Sequence, residues 1–168
     1  MRHLLLLIPI LFPLLLSAQT WTDRSRIYPD KLRDIPTAMV LYHSPTPNYP
    51  ELNTDPKVDT KYVWKHRTCV ETESSGLEVV EAGSFIWMGE SGWIPNVALK
   101  NKDFAKKFDC PKGLFQANTR YCFEENYRYG NDLYAGDALW YVLAKDAAGN
   151  LFKGVCIIET EGELKEKK

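Results

Sequence analysis

Histidine is scarce in this sequence, and its scarcity limits the catalytic chemistry that the chain can support. Three histidines occur in 168 residues, at positions 3, 43 and 66. A Ser-His-Asp or Cys-His site needs a histidine beside a nucleophile, and no local motif surrounds His43 or His66, which we interpret as surface or packing residues. Glycine-rich nucleotide-binding motifs are missing too. We therefore predict that the protein is not an enzyme, has no catalytic residues and uses no cofactor.

The sequence also lacks a surplus of positive charge. It has 21 Lys and Arg against 22 Asp and Glu, with no long basic run, so the attraction to phosphates that dominates nucleic-acid binding is weak. No C-x-x-C pair occurs, and only two histidines follow position 3, so a zinc site or a thioredoxin-like redox pair has little support. We expect neither nucleic acid as a partner nor a bound metal.

Only one apolar run is long, residues 4–16, and it contains two prolines. Its 13 residues are too few to span a bilayer, which takes roughly 20. Because Arg2 precedes the run and small residues follow it, the pattern predicts a signal peptide, residues 1–18, cleaved after Ala18. The alternative is an uncleaved anchor. The mature chain, with a net charge of −2, is expected to be exported, periplasmic or secreted, and without a transmembrane segment.

Four cysteines follow the signal peptide, at positions 69, 110, 122 and 156. An even count in an exported chain predicts two disulfides, and four cysteines allow three pairings. We favour the pairs Cys122 with Cys156 and Cys69 with Cys110, because the first pair would lie within one module of the chain.

Short apolar strands separated by Gly, Ser and Pro turns dominate the mature chain, which predicts a mainly β protein with antiparallel sheets. A leader, residues 19–36, precedes the strands, and a proline-rich loop, residues 44–57, follows the first of them. A linker, residues 101–115, contains the one predicted helix, residues 101–109, and a charged tail, residues 161–168, is expected to be disordered. The predicted strands are residues 38–43, 62–70, 77–81, 85–88, 93–95, 119–124, 138–145 and 151–159.

The sequence Gly92-Trp93-Ile94, followed after a few residues by Leu99, resembles the end of a bacterial SH3 (SH3b) domain. This resemblance covers residues 37–100 and implies a small antiparallel SH3-like barrel that recognises cell-wall peptides. The proline-rich loop is longer than is usual in that family, and His43-Ser44-Pro45 replaces the arginine and glycine that often follow its first strand.

Residues 116–160 form a second predicted β module. The segment from Leu133 to Leu139 echoes the segment from Val79 to Phe85, which is compatible with a degenerate SH3-like repeat and hence with two tandem modules joined by a short helix. The alternative is a hairpin and an extra strand packed on a single barrel. The sequence leaves both interpretations open.

Aromatic residues are abundant, with 9 Tyr, 7 Phe and 5 Trp. We expect some of them to form a ligand-binding groove beside the proline-rich loop, since flat rings give a large contact area. Tyr49 is the best surface candidate because it lies in a loop between prolines, whereas Trp87 and Trp93 have core packing as an alternative. The candidates are Tyr42, Tyr49, Tyr62, Trp87 and Trp93.

Two classes of function fit these features. The first is an exported, non-catalytic binding module that, as the SH3 resemblance implies, recognises peptidoglycan or an envelope protein. The second is an inhibitor or immunity-type protein that blocks a target enzyme through its proline-rich loop, as a preorganised loop could do.

Overall fold

The structure, a computed structural model, describes residues 26–165. The predicted signal peptide, residues 19–25 of the leader and the last three residues of the tail lie outside the described residues. Within them the protein is mainly β, as predicted, with strands paired antiparallel in three sheets. The strands are β1 (Val40–Ser44), β2 (Glu51–Leu52), β3 (Tyr62–Trp64), β4 (Arg67–Glu71), β5 (Glu78–Trp87), β6 (Trp93–Lys100), β7 (Tyr121–Phe123), β8 (Arg128–Gly130), β9 (Gly136–Lys145) and β10 (Leu151–Thr160), and the helix α1 spans Asn101–Lys107.

Four long strands form the central sheet in the order β10, β9, β5, β6. The predicted hairpin of β9 and β10 is confirmed. The prediction of two separate strands at residues 77–81 and 85–88 is wrong, because β5 is one strand of ten residues. A Cβ at Gly83 would lie 2.2 Å from the carbonyl oxygen of Val97, so this glycine permits close contact between β5 and β6 rather than a turn.

Two smaller sheets have the orders β1, β4, β7 and β2, β3, β8. The predicted strand of residues 62–70 is divided at Lys65 and His66, because its two halves pair with different neighbours. The sequence does not predict β2 and β8, since strands of two or three residues are too short to show a periodic pattern.

Each sheet combines strands from both predicted units, residues 37–100 and 116–160. β5 lies between β6 and β9, β4 lies between β1 and β7, and β3 lies between β2 and β8. This sharing favours the interpretation of one unit over that of two tandem modules. The predicted linker is also part of the core, because Phe104 of α1 and Phe108 after it are fully buried, with their ring centroids 4.3 Å apart.

Both faces of the central sheet are covered. One face packs in a core that includes Val79, Trp140 and Phe104. On the other face, Phe85 and Tyr141 pack against residues of the leader, chiefly the fully buried Leu32.

The leader is fixed at that position by Lys153 of β10. The Lys153 ammonium group donates hydrogen bonds to the carbonyl oxygens of Leu32 and Arg33. The backbone N–H of Lys153 donates to the carbonyl oxygen of Pro36 at 2.8 Å. Burying a leucine side chain contributes about 1.5–3 kcal/mol. Residues 30–36 are therefore a structural cover for the outer face of the sheet.

The structure has one disulfide, Cys69–Cys122, in place of the two predicted pairs. The predicted pairings are wrong because the register places Cys69 of β4 directly opposite Cys122 of β7, with the Cα atoms 4.2 Å apart. Cys110 is a free thiol buried in the core, and Cys156 is a free, half-buried thiol on β10.

The first residues of the predicted tail are packed against the protein. The backbone N–H of Glu161 donates to the carbonyl oxygen of Asn48 at 2.8 Å, and the indole N–H of Trp64 donates to the carbonyl oxygen of Glu161 at 2.8 Å. The expectation of disorder is thus wrong for Glu161, because its backbone groups are hydrogen-bonded to Asn48 and to the buried Trp64.

Candidate functional site

A groove of about 780 Å³ follows the proline-rich loop. We call it the Pro-loop groove. Its size falls in the range of about 300–1,000 Å³ that is usual for ligand sites. Its walls come from the proline-rich loop, from β2, from the β3–β4 junction and from the tail. The lining residues are Pro45, Pro47, Asn48, Tyr49, Pro50, Glu51, Leu52, Thr54, Lys65, Leu164 and Lys165.

Asn48 anchors the loop beside the groove. Its backbone N–H donates to the carbonyl oxygen of Glu159 at 2.8 Å, and its carbonyl oxygen accepts from Glu161. Its side-chain Nδ2 lies 3.2 Å from Nδ1 of His66. Since Asn48 is buried, the next residue, Tyr49, is held half-exposed at the groove.

The groove combines apolar walls with basic groups. Lys65 forms an ion pair with Glu51 at 3.1 Å, and this hydrogen bond raises the pKa of the Lys65 ammonium group. The ammonium group of Lys165 lies 5.5 Å from the centroid of the Tyr49 ring. Two lysines against one glutamate give the lining a net positive charge, which favours ligands that carry a carboxylate.

The five predicted ligand-binding aromatics do not share one groove. Tyr49 lines the Pro-loop groove. Tyr62 is only 8% exposed on β3, where it pairs with Leu52 at the edge of the groove. Tyr42 is half-buried on β1, and the guanidinium carbon of Arg120 lies 5.6 Å from its ring centroid.

Trp87 and Trp93 form a second aromatic site. They face each other across β5 and β6, with ring centroids 5.2 Å apart and an angle of 67° between the ring planes. Both side chains are half-buried, so neither tryptophan is a fully buried core residue and neither is fully exposed on the surface.

His43 and His66 are packing residues in the interior, at 5% and 7% exposure. Their ring centroids are 5.8 Å apart. Burial lowers the pKa of His43 to about 3, with a further lowering by the neighbouring His66. Burial also lowers the pKa of His66 to about 4, and the charge of Arg128 acts in the same direction. Both rings are therefore neutral at physiological pH.

The surroundings of the histidines bear on the catalytic alternative. Nδ1 of His43 lies 2.9 Å from the hydroxyl oxygen of Thr68, which is fully buried and also accepts a hydrogen bond from Asn126 at 2.7 Å. A hydroxyl enclosed in this way is not accessible to a substrate. His66 borders a partly open pocket of about 170 Å³, which is smaller than a usual substrate site. Among residues 26–165, no three His, Cys, Asp or Glu side chains are grouped as metal ligands.

Sequence reasoning missed three residues of the groove. The sequence predicts that Lys65 lies within a continuous strand and that Leu164 and Lys165 belong to a disordered tail. The one available signal was an apolar residue, Leu164, within a charged segment.

Comparison of the chain with protein-family models, with curated proteins and with solved structures gives no match. In the described part of the chain, no helix has the length and apolar content that crossing a membrane would require. The function is therefore argued from the geometry of the molecule.

Proposed function

We propose that this protein is an exported, non-catalytic binding protein that recognises cell-wall peptides, or a peptide segment of an envelope protein, in the Pro-loop groove. The observation that carries the proposal is the groove itself, in which the half-exposed ring of Tyr49 lies between apolar walls and two lysines. Aromatic rings and apolar walls supply contact area, and the lysines select for carboxylates.

Peptidoglycan stem peptides match this chemistry. They are short and extended, and they carry free carboxylates. The anchored Asn48 fixes the loop before a ligand arrives, which lowers the entropic cost of binding.

The SH3-like architecture is part of the same proposal. Its support is the local arrangement of Gly92 and Trp93. Gly92 has a φ of 69°, a left-handed conformation that favours glycine, and it leads from the turn at Gly89–Ser91 into β6. The SH3 resemblance implies a glycine-tryptophan pair at the start of a strand, as in β6, and then a short turn before the leucine, where β6 instead continues through Leu99 to Lys100.

The test is co-sedimentation of the oxidised chain, residues 19–168, with purified peptidoglycan sacculi over a range of salt concentrations. We expect saturable binding that competes with soluble stem peptides. The variant Tyr49→Ala should weaken binding about ten-fold, the cost of losing one well-packed aromatic contact, while the melting temperature stays nearly constant because the ring is half-exposed.

Tyr28→Ala is the matched control. Tyr28 is also a half-exposed tyrosine with a lysine above its ring, Lys153 at 5.4 Å, but it lies outside the groove. Equal loss of binding in the two variants, or loss of stability together with binding in Tyr49→Ala, would contradict the assignment of Tyr49. Absence of binding to sacculi and to stem peptides would remove the cell-wall ligand.

One observation favours the second class of function, an inhibitor or immunity-type protein. The loop is pinned at Asn48 while Pro45 and Pro47 remain exposed beside it, and a preorganised loop suits insertion into an enzyme cleft. If this alternative is right, the chain does not bind sacculi. It captures an envelope enzyme and inhibits that enzyme stoichiometrically. The double variant Pro45→Ala/Pro47→Ala should then reduce inhibition more than Tyr49→Ala does.

A further inference from the structure

Trp87 and Trp93 already hold a cation, and it belongs to the chain itself. The guanidinium carbon of Arg26 lies 4.6 Å from the centroid of the Trp87 ring and 5.9 Å from that of Trp93. The same guanidinium forms an ion pair with Asp137, whose side chain is 11% exposed. Aromatic faces with a carboxylate beside them attract a cation by two additive effects, the ring quadrupole and the charge-assisted hydrogen bond.

The central sheet places these groups in one row. Trp87 and Trp93 are register partners across β5 and β6, and Ala138 of β9 pairs with Ile86 of β5. Asp137, which precedes Ala138 in β9, therefore lies beside Trp87 at the end of the sheet. We call Trp87, Trp93 and Asp137 the cation cage. Because its members lie on strands rather than on loops, the cage is preorganised for a ligand.

The surroundings of the cage are acidic. Glu159 of β10 is the register partner of Asp137. Its pKa is raised, first by partial burial and then by the charges of Glu161 and Asp137. Glu159 thus adds a second negative charge beside Asp137, and this negative charge favours cationic ligands.

Arg26 can leave the cage without displacing the rest of the leader. The leader is anchored from Tyr28 onward, where the Lys153 ammonium group lies 5.4 Å from the Tyr28 ring centroid, and then through the buried side chain of Leu32. Closer to Arg26, Ile27 is 70% exposed. The Arg26 side chain is 26% exposed and that of Asp137 is 11% exposed, so the ion pair is partly buried, and Arg26 leaves the cage when another cation takes its place at Asp137.

From this geometry we infer that the cation cage is a binding site for an arginine side chain of a partner protein, and that Arg26 occupies it as an internal competitor. The partner's guanidinium stacks on Trp87 and pairs with Asp137 once Arg26 has moved out. A tethered competitor raises the apparent dissociation constant of the partner, because the free form of the site is only partly populated. The inference does not depend on the Pro-loop groove binding cell-wall peptides.

The test is a titration of residues 19–168 with N-acetylarginine amide, followed through the indole N–H signals of Trp87 and Trp93 in nitrogen-15 NMR spectra. The variants Trp87→Phe and Trp93→Phe assign the two signals. In Arg26→Ala we expect a saturable shift of both signals, at an affinity about ten-fold higher than in the unmodified chain. N-acetylcitrulline amide, which has the same shape without the charge, should leave them unchanged.

Two variants serve as controls. Among residues 26–165, Arg33 forms its ion pair with Asp30, away from the cage, and its side chain is 52% exposed, so Arg33→Ala should bind the probe as weakly as the unmodified chain. The double variant Arg26→Ala/Asp137→Asn should bind the probe about ten-fold more weakly than Arg26→Ala does, because the carboxylate of the cage is missing. Equal affinity in Arg26→Ala and Arg33→Ala, or indole signals that do not respond in Arg26→Ala, would overturn the inference and leave Arg26 a structural clamp only. If Arg26→Ala does not fold, Arg26→Lys replaces it and should show an intermediate affinity.

Discussion

Two neutral histidines lie in the interior, one beside Asn48 of the proline-rich loop and the other beside Thr68 of β4. His66 contacts Asn48, which anchors Tyr49, and His43 contacts Thr68 next to the disulfide. Nε2 of each ring has no hydrogen-bond partner among the described protein atoms. Protonation would place a positive charge in a buried position, so the state of these two rings is linked to the stability of the fold.

We predict that the free energy of unfolding falls as the pH decreases from about 6.5 to about 4. In the unfolded chain a histidine takes up a proton near pH 6.5, whereas in the folded protein the pKa values are about 3 for His43 and about 4 for His66. The unfolded state therefore binds more protons in this interval, at a cost of about 1 kcal/mol per pH unit for each histidine. Above pH 7 the effect disappears.

Urea unfolding at pH 7.5, 6.5 and 5.5 measures this slope. NMR titration of the ring Hε1 signals measures the protonation directly, and residues 19–168 contain only these two histidines. Both signals should stay constant from pH 8 to pH 5. A titration midpoint near 6.5 in the folded protein would contradict the prediction.

At the scale of elements, the disulfide joins two short strands that come from distant parts of the chain. Cys69 and Cys122 are 53 residues apart in sequence. β7 has only three residues, and it is an edge strand of its sheet. The crosslink holds β7 on β4, which few backbone hydrogen bonds could do alone.

Reduction of this disulfide should lower the free energy of unfolding by about 2–4 kcal/mol, because the unfolded chain regains the entropy of the opened loop. Urea unfolding with and without a reductant measures the difference. Cys156→Ser should respond to the reductant as the unmodified chain does, since Cys156 is free. Cys69→Ala/Cys122→Ala should not respond. A reductant effect in that double variant would show that another pairing forms.

The elements that the sequence predicts well are local ones. The hairpin of β9 and β10 has ten-residue strands and the Asp146 turn, in which the Asp146 carboxylate accepts hydrogen bonds from Ala148 and Asn150. The strand β8 and the pairing of the cysteines depend on neighbours more than 50 residues away, and no local pattern records them. The candidate site divides in the same way. Proline density indicates the loop of Tyr49, whereas Lys65 and Lys165 reach the groove only through the assembled fold.

On the scale of the whole molecule, the sharing of every sheet between the first and second parts of the chain makes the two parts interdependent. β5, from the first part, is paired along most of its length with β9, from the second. Neither part alone can satisfy the backbone hydrogen bonds of its central strands or cover its apolar faces.

We therefore predict that residues 19–100 and residues 101–168, produced separately, are unfolded, and that the whole chain unfolds in one cooperative transition. Circular dichroism and the dispersion of amide signals in NMR spectra show whether each fragment is folded. Calorimetry of the whole chain shows whether it unfolds in one cooperative transition. Mixing the two fragments should restore folded signals. A folded fragment of residues 19–100 alone would instead support tandem modules.

The position of the leader affects when the protein can fold. Leu32 is synthesised early, yet the lysine that donates a hydrogen bond to its carbonyl oxygen lies 121 residues later in the chain. Until β10 has been made, β9 lacks its neighbouring strand. The leader is then not yet fixed over the sheet face that carries Phe85 and Tyr141. Contacts of such high sequence separation slow folding, so an emerging chain keeps this apolar face open to chaperones and to other chains. The native state forms only after synthesis has passed the final hairpin.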